Sequence, residues 1–214
     1  MGVDVVFAPS AADMYPPDYA TYVDVAGPAR GLCGARRPGH FRGVATVLTK
    51  LFNIVRPNVA VFGEKDVQQL AVVRRMVADL DFGVRILAVP TVREPDGLAL
   101  SSRNAYLGAG ERAAAPALRR SLLAAAAAVS RGERRAAVLR AVVRRRLTAS
   151  GARVDYVALV EPSTMRPMDD LAGDGILAAA VFFGGTRLID NIRLRPDTRP
   201  SQRRRSRGID NRLQ

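Results

Sequence analysis

Two short apolar runs, Asn58 to Phe62 and Val84 to Val89, flank an amphipathic stretch from Asp66 to Leu80, and this order constrains the fold more than any other feature. The runs are apolar nearly throughout instead of alternating, which marks strands covered on both faces. Between them Val67, Leu70, Val73, Met76, Val77 and Leu80 recur at helical spacing, and Pro90 closes the second run. Upstream, Phe41, Val44, Leu48, Leu51, Phe52 and Val55 give a further amphipathic helix that Pro57 stops. Val3 to Phe7 reads as a buried strand ending at Ala8-Pro9-Ser10, and Tyr22 to Val25 as a short one. Strand and helix in alternation imply an α/β fold with a parallel sheet between helical layers. A doubly wound sheet begins with a strand and a phosphate-gripping turn. Here no G-x-G-x-x-G and no Walker sequence occurs, so the sheet is expected to be partial, with its first part absent.

The second half follows another pattern. Ala/Arg/Leu-rich helices are expected from Glu111 to Ser130 and from Glu133 to Ala149, with Pro116 in the first turns of the former. Strands are expected at Val154 to Val160, Ile176 to Phe183 and Thr186 to Ile192, the last two joined by a Gly184-Gly185 hairpin turn. Helices followed by antiparallel strands make a small α+β unit, with the boundary near Pro90 to Gly97.

Composition narrows the function classes. In 214 residues, no apolar run approaches the roughly 20 residues of a membrane span. Met1 to Phe7 carries no basic n-region and no cleavage site, so no signal peptide is expected. One cysteine, Cys33, and one histidine, His40, exclude an internal disulfide and a zinc framework and suit a reducing cytoplasm. The net charge of +13 invites a nucleic-acid partner. Yet all the basic residues except Lys50 and Lys65 are arginine, and alanine is abundant, which points to coding bias. Arg203, Arg204, Arg205 and Arg207 fall in a polar stretch expected to be a disordered basic tail, residues 196–214, with no specific nucleic-acid partner.

Three segments could carry chemistry. Gly63-Glu64-Lys65-Asp66 joins a strand to a helix, where open α/β sheets bind ligands. The glycine admits close approach, the helix start offers free N–H groups to an anion, and Lys65 adds a compact positive charge. Asp66 could equally be an N-cap, with Gln69 completing a capping box, and spacing alone favours that role for Gln69. Leu100-Ser101-Ser102-Arg103-Asn104 gathers two hydroxyls and a guanidinium able to hold phosphate, or is a polar turn before a helix. In Arg37-Pro38-Gly39-His40-Phe41-Arg42-Gly43, His40 is a potential base, but with no acidic neighbour in sequence it reads as a helix start. Arg187-Leu188-Ile189-Asp190-Asn191 reads as structural.

Taken in order and spacing, these four blocks, together with Phe62, Gln68-Gln69-Leu70 and Asp96-Gly97-Leu98-Ala99, resemble the pantothenate synthetase (pantoate–β-alanine ligase) family from about Val3 to Ile192. The resemblance implies a partial Rossmann-like parallel sheet of the nucleotidylyltransferase type over residues 1–92, then a small α+β domain over 93–195. It implies condensation of pantoate with β-alanine, using ATP and Mg²⁺, through a pantoyl-adenylate, with AMP and pyrophosphate released. Gly63, Glu64, Lys65 and Asp66 would contact ATP, with Lys65 on its phosphates. Leu100, Ser101, Ser102 and Arg103 would form the family's KMSKS-type loop on the phosphates, and the Val92 backbone would meet adenine. Gln69 would hydrogen-bond pantoate. No metal-ligating side chain is implied among these residues, and the family is a cytoplasmic homodimer. The family also begins with a His-x-Gly-His motif on its first turn. A single histidine at position 40 cannot supply it, so the resemblance implies an N-terminally truncated member. The alternative is a catalytically incompetent fragment or interaction module that lacks the His-x-Gly-His ATP site.

Overall fold

The computed structural model describes residues 2–196. The expected strand–helix–strand unit is present. Strand β1 (Val59–Gly63) pairs in parallel with β2 (Arg85–Val89), in register from Val59 opposite Arg85 to Gly63 opposite Val89. The crossover is helix α4 (Val67–Asp79), entered through a 3-10 turn at Glu64–Asp66. Ahead of β1 lie three helices, α1 (Ala11–Met14), α2 (Leu32–Arg36) and α3 (His40–Val55). Helix α3 ends as Pro57 requires, with Arg56 in the left-handed region and its N–H returned to Phe52.

The helical layer covers one face of this sheet only. Ala60, Phe62 and Ile86 pack towards Phe41, Phe52, Val72, Val73 and Met76 of α3 and α4. Val59, Val61, Leu87 and Val89, on the other face, are exposed. The apolar runs therefore overstate the cover: β1 and β2 alternate in burial along their length. Two expected strands are not formed. Val3 to Phe7 is exposed coil, because no neighbour among the described residues takes up its backbone groups. Tyr22 to Val25 is also coil; Val23 donates its N–H to the Thr46 hydroxyl at 3.0 Å, and Val25 is buried against α3.

The second unit contains α5 (Ala109–Ala114), α6 (Ala117–Ser130) and α7 (Ala136–Ala149), then β3 (Arg153–Val160), β4 (Gly175–Phe183) and β5 (Thr186–Leu194). The expected single helix from Glu111 to Ser130 is two helices. Pro116 lacks an N–H and caps the start of α6 instead of continuing α5. The sheet is antiparallel in the order β3-β4-β5, and Gly184-Gly185 forms the turn, with Gly184 at a positive φ of 54°.

Strand β4 is buried on both faces. Leu177, Ala179, Val181 and Phe183 join the core of Leu118, Leu122, Leu139, Val143 and Leu147 from α6 and α7. Ile176 and Ala178 face the other way, into a cluster with Ala71 of α4. That second contact, which also includes Val160 and Met165, seats the antiparallel unit against the crossover helix. It brings the start of α4 next to β5.

Candidate active site

The turn between β1 and α4 carries the first phosphate-handling candidates. Asp66 is the N-cap of α4, and its carboxylate accepts the Gln69 N–H at 3.2 Å. Among the described residues no reciprocal bond runs from the Gln69 side chain to the Asp66 backbone, so the capping box is half made. Capping uses the Gln69 backbone, and its side chain is left to face a cavity. The backbone takes the capping role, and the side chain is free of it.

That cavity measures about 330 Å³ and is bordered by Gly63, Lys65, Asp66, Gln69 and Arg103, with Arg37, Cys33, Arg187 and Ile189 completing it. An added Cβ at Gly63 would meet no atom within 4 Å, so the protein itself does not demand glycine there. The space in front of the backbone is open.

Three segments distant in sequence are tied together at this point. The Lys65 ammonium donates to the Leu100 carbonyl at 3.0 Å. Arg103 donates to the Arg187 carbonyl at 3.3 Å. The Asn191 side-chain amide donates to the carbonyls of Glu64 and Lys65, at 2.9 and 3.1 Å. Beside it, Asp190, only 2% exposed, takes both ends of the Arg93 guanidinium at 2.8 and 2.9 Å.

Cations outnumber anions in the cavity. Lys65, Arg37, Arg103 and Arg187 face one carboxylate, Asp66. Arg187 is compensated by Asp155 at 2.9 Å. Burial pushes the Lys65 ammonium below its usual pKa; Arg103 and Arg93 push the same way, against Asp190 and Asp66. A dianion placed here would gain more from Lys65 than from an exposed lysine, because less water competes for the charge. His40 opens α3 next to this site, where its Nε2 lies 3.0 Å from the Arg37 guanidinium. Since guanidinium only donates, Nε2 accepts and the ring is neutral. Burial, then Arg37, hold its pKa below the ordinary histidine value, with Asp66 opposing.

The other expected site residues lie around the cavity. Leu100 contributes its carbonyl, and the Ser101 hydroxyl caps the 3-10 turn Ser102–Tyr106 by accepting the Arg103 N–H at 3.3 Å. Ser102 is exposed on the same turn. Glu64 faces away, into a separate cavity, and Val92 is 67% exposed. Arg187 and Asn191 lie in a segment expected to be structural. Asp190 fits that reading, but Arg187 borders the cavity and Asn191 holds the Glu64–Asp66 turn from behind. Arg37 joins them from the block that precedes α3. No signal within Arg187–Asn191 alone marks it, because the contact partner is more than 120 residues away.

Comparison with known proteins decides the family. The family model for pantoate-beta-alanine ligase matches residues 1–193. The chain belongs to this family. The pantothenate synthetase of Anaeromyxobacter dehalogenans is 59% identical over 194 residues, covering 90% of this chain and 67% of that protein. That of Moorella thermoacetica is 54% identical over 192 residues, covering 89% of this chain and 68% of the relative. The chain thus spans about two thirds of the length of these ligases. Among solved structures, the pantothenate synthetase of Thermus thermophilus superposes with a TM-score of 0.86 at 49% identity, over 91% of this chain and 71% of that one. The Francisella tularensis pantoate-beta-alanine ligase, complexed with beta-gamma ATP and beta-alanine, superposes at 0.67 with 32% identity, over 89% of this chain and 64% of that one. The α/β architecture, a parallel sheet followed by a small antiparallel unit, is that of this ligase family. Among the described residues no helix is long and apolar enough to cross a membrane.

Proposed function

We propose that this chain carries the phosphate and pantoate contacts for ATP-dependent condensation of pantoate with β-alanine. The observation that supports this best is the meeting in one cavity of Lys65 and Gln69 with Arg103, which comes from a separate segment of the sequence. In the first step the pantoate carboxylate attacks the α-phosphorus of ATP; a P–O bond forms and the bond to the bridging oxygen of pyrophosphate breaks. Negative charge grows on the leaving pyrophosphate. Lys65 and Arg103, with the Ser101 and Ser102 hydroxyls, oppose that charge from fixed positions, which lowers the barrier. Gln69 holds pantoate from the face of α4. Gly63, Glu64, Asp66 and Leu100 contribute backbone contacts to ATP, and the Val92 backbone meets adenine. In the second step the β-alanine amine attacks the acyl carbon and AMP departs.

Mg²⁺ belongs to the family's reaction, where such an ion takes most of its ligands from phosphate and water and only one or two carboxylates from protein. Among the described residues no cluster of three or more His, Cys, Asp or Glu side chains could hold a metal ion. Charge neutralisation by the protein in this step rests on Lys65 and the arginines.

The same reading divides the chain into an ATP- and pantoate-binding part, 1–92, and a small domain, 93–195, that supplies Arg103 and Arg187. It includes a homodimeric, cytoplasmic protein; the single free thiol, Cys33, suits a reducing compartment. The basic tail lies, from residue 197 on, outside the described residues. Isothermal titration with ATP and with pantoate tests the binding, and pantoate-dependent exchange of labelled pyrophosphate into ATP tests the first step. Saturable binding of both ligands that weakens in Lys65→Ala and Gln69→Ala respectively is expected. Binding indifferent to both changes would overturn the assignment.

A further inference from the structure

On the far side of the Glu64–Asp66 turn lies a second cavity of about 700 Å³, between α4, the segment after β2 and the antiparallel unit. Lys65 and Asp66 border the first cavity; Glu64 and Val67 border this one, and no residue borders both. Its floor is apolar, with Leu70, Ala71 and Ile176 all buried. Its walls are cationic. Arg74 of α4, Arg119 of α6 and Arg166 of the β3–β4 connection all border it, and among the described residues none of the three has a carboxylate within ion-pair distance. The other bordering arginines, Arg75, Arg93 and Arg193, are paired with Asp79, Asp190 and Asp174. Among the described residues, Glu64 is the sole carboxylate on the lining.

We infer that this cavity binds a small anion with an apolar body, a phosphate monoester or carboxylate whose charge meets Arg74, Arg119 and Arg166 and whose body lies on Leu70, Ala71 and Ile176. An arginine on an open surface is satisfied by water, which is enough for the exposed Arg74 and Arg166 taken singly. Arg119 differs: it is half-buried, and its one side-chain hydrogen bond among the described residues goes to the Asn191 carbonyl at 3.4 Å. Burial and the neighbouring Arg93 both work against its charge. Three guanidiniums from three separate elements border one apolar-floored cavity, where partial exclusion of water strengthens attraction for an anion. Guanidinium forks match phosphate and carboxylate oxygens in pairs. The cavity has the size of a small-molecule site, with an apolar floor beneath cationic walls. The inference is independent of the proposed ligase reaction, because it rests on a different cavity.

The test is calorimetric titration of the whole chain with phenyl phosphate, inorganic phosphate, phenol and benzoate. Phenyl phosphate should bind saturably and at least about tenfold more tightly than either of its halves. Benzoate binding with the same variant dependence extends the ligand to carboxylates; its failure narrows the ligand to phosphate esters. Arg74→Met combined with Arg166→Met keeps side-chain bulk at two exposed positions and should weaken phenyl phosphate at least about tenfold, with circular dichroism verifying the fold. Lys65→Ala should leave this binding unchanged. An unaffected double variant, loss in Lys65→Ala, or no saturable binding below about 10 mM would overturn the inference.

Discussion

The ammonium of Lys65 is bonded to the carbonyl of Leu100 at 3.0 Å, so the side chain proposed to grip phosphate also joins the two loops that would surround it. A phosphate arriving in the cavity competes with that carbonyl for Lys65. Lys65→Ala should weaken ATP and pyrophosphate binding by about tenfold or more, as loss of a charge-assisted contact requires, while lowering stability by only about 1 kcal/mol. Titration calorimetry and urea denaturation separate the two effects. A large stability loss with unchanged affinity would make Lys65 a structural strut.

Asn191 donates twice through one nitrogen, to the carbonyls of Glu64 and Lys65. Asn191→Asp replaces the donor with an acceptor that faces two carbonyls, and should cost more than Asn191→Ala. The expected losses are roughly 2–3 kcal/mol for the aspartate and 1–2 kcal/mol for the alanine. Denaturant midpoints of the two variants provide the check, and equal values would show that the amide bonds contribute little.

Asp190 is buried and paired through both oxygens with Arg93. Asp190→Ala strands the guanidinium and should destabilise by about 3 kcal/mol. Arg93→Met with Asp190→Leu removes both charges and should recover much of that loss. A double variant as unstable as the single one would show that packing, not charge pairing, matters at this point.

His40 is held neutral by burial and by Arg37. Its folded-state pKa is below the unfolded value of about 6.5, so its contribution to stability is fully present above that pH and is lost as pH falls through the folded value. The imidazole resonances followed by NMR should titrate below the ordinary histidine midpoint, and Arg37→Ala should raise that midpoint. A midpoint at or above about 6.5 would contradict the Arg37 contact.

Val61 and Leu87, 59% and 45% exposed, stand opposite each other on the uncovered face of the parallel sheet. Val61→Glu with Leu87→Lys should reduce self-association in light scattering and change stability by no more than about 0.5 kcal/mol. Strong destabilisation would mean that this face is packed in solution.

Local patterns settled much of this protein before any contact was known. Helical spacing locates α3 and α4 to within a few residues, Ala/Arg/Leu-rich composition locates α7, Pro57 ends α3, and Gly184-Gly185 marks the tight hairpin between β4 and β5. Each is a short-range matter of backbone geometry, which neighbouring residues dictate. Four motif blocks in order likewise mark the family. Tertiary structure decided what those patterns leave open. Continuous apolar runs suggested strands covered on both faces at β1 and β2, whereas that cover belongs to β4, which has α6 and α7 on one side and α4 on the other. An apolar run states that cover is wanted; only packing determines whether it is present. The same limit applies to the site. Gln69 divides into a capping backbone and a free side chain, and Asn191 reaches the Lys65 turn from 126 residues away, because the chain must fold before those groups are neighbours.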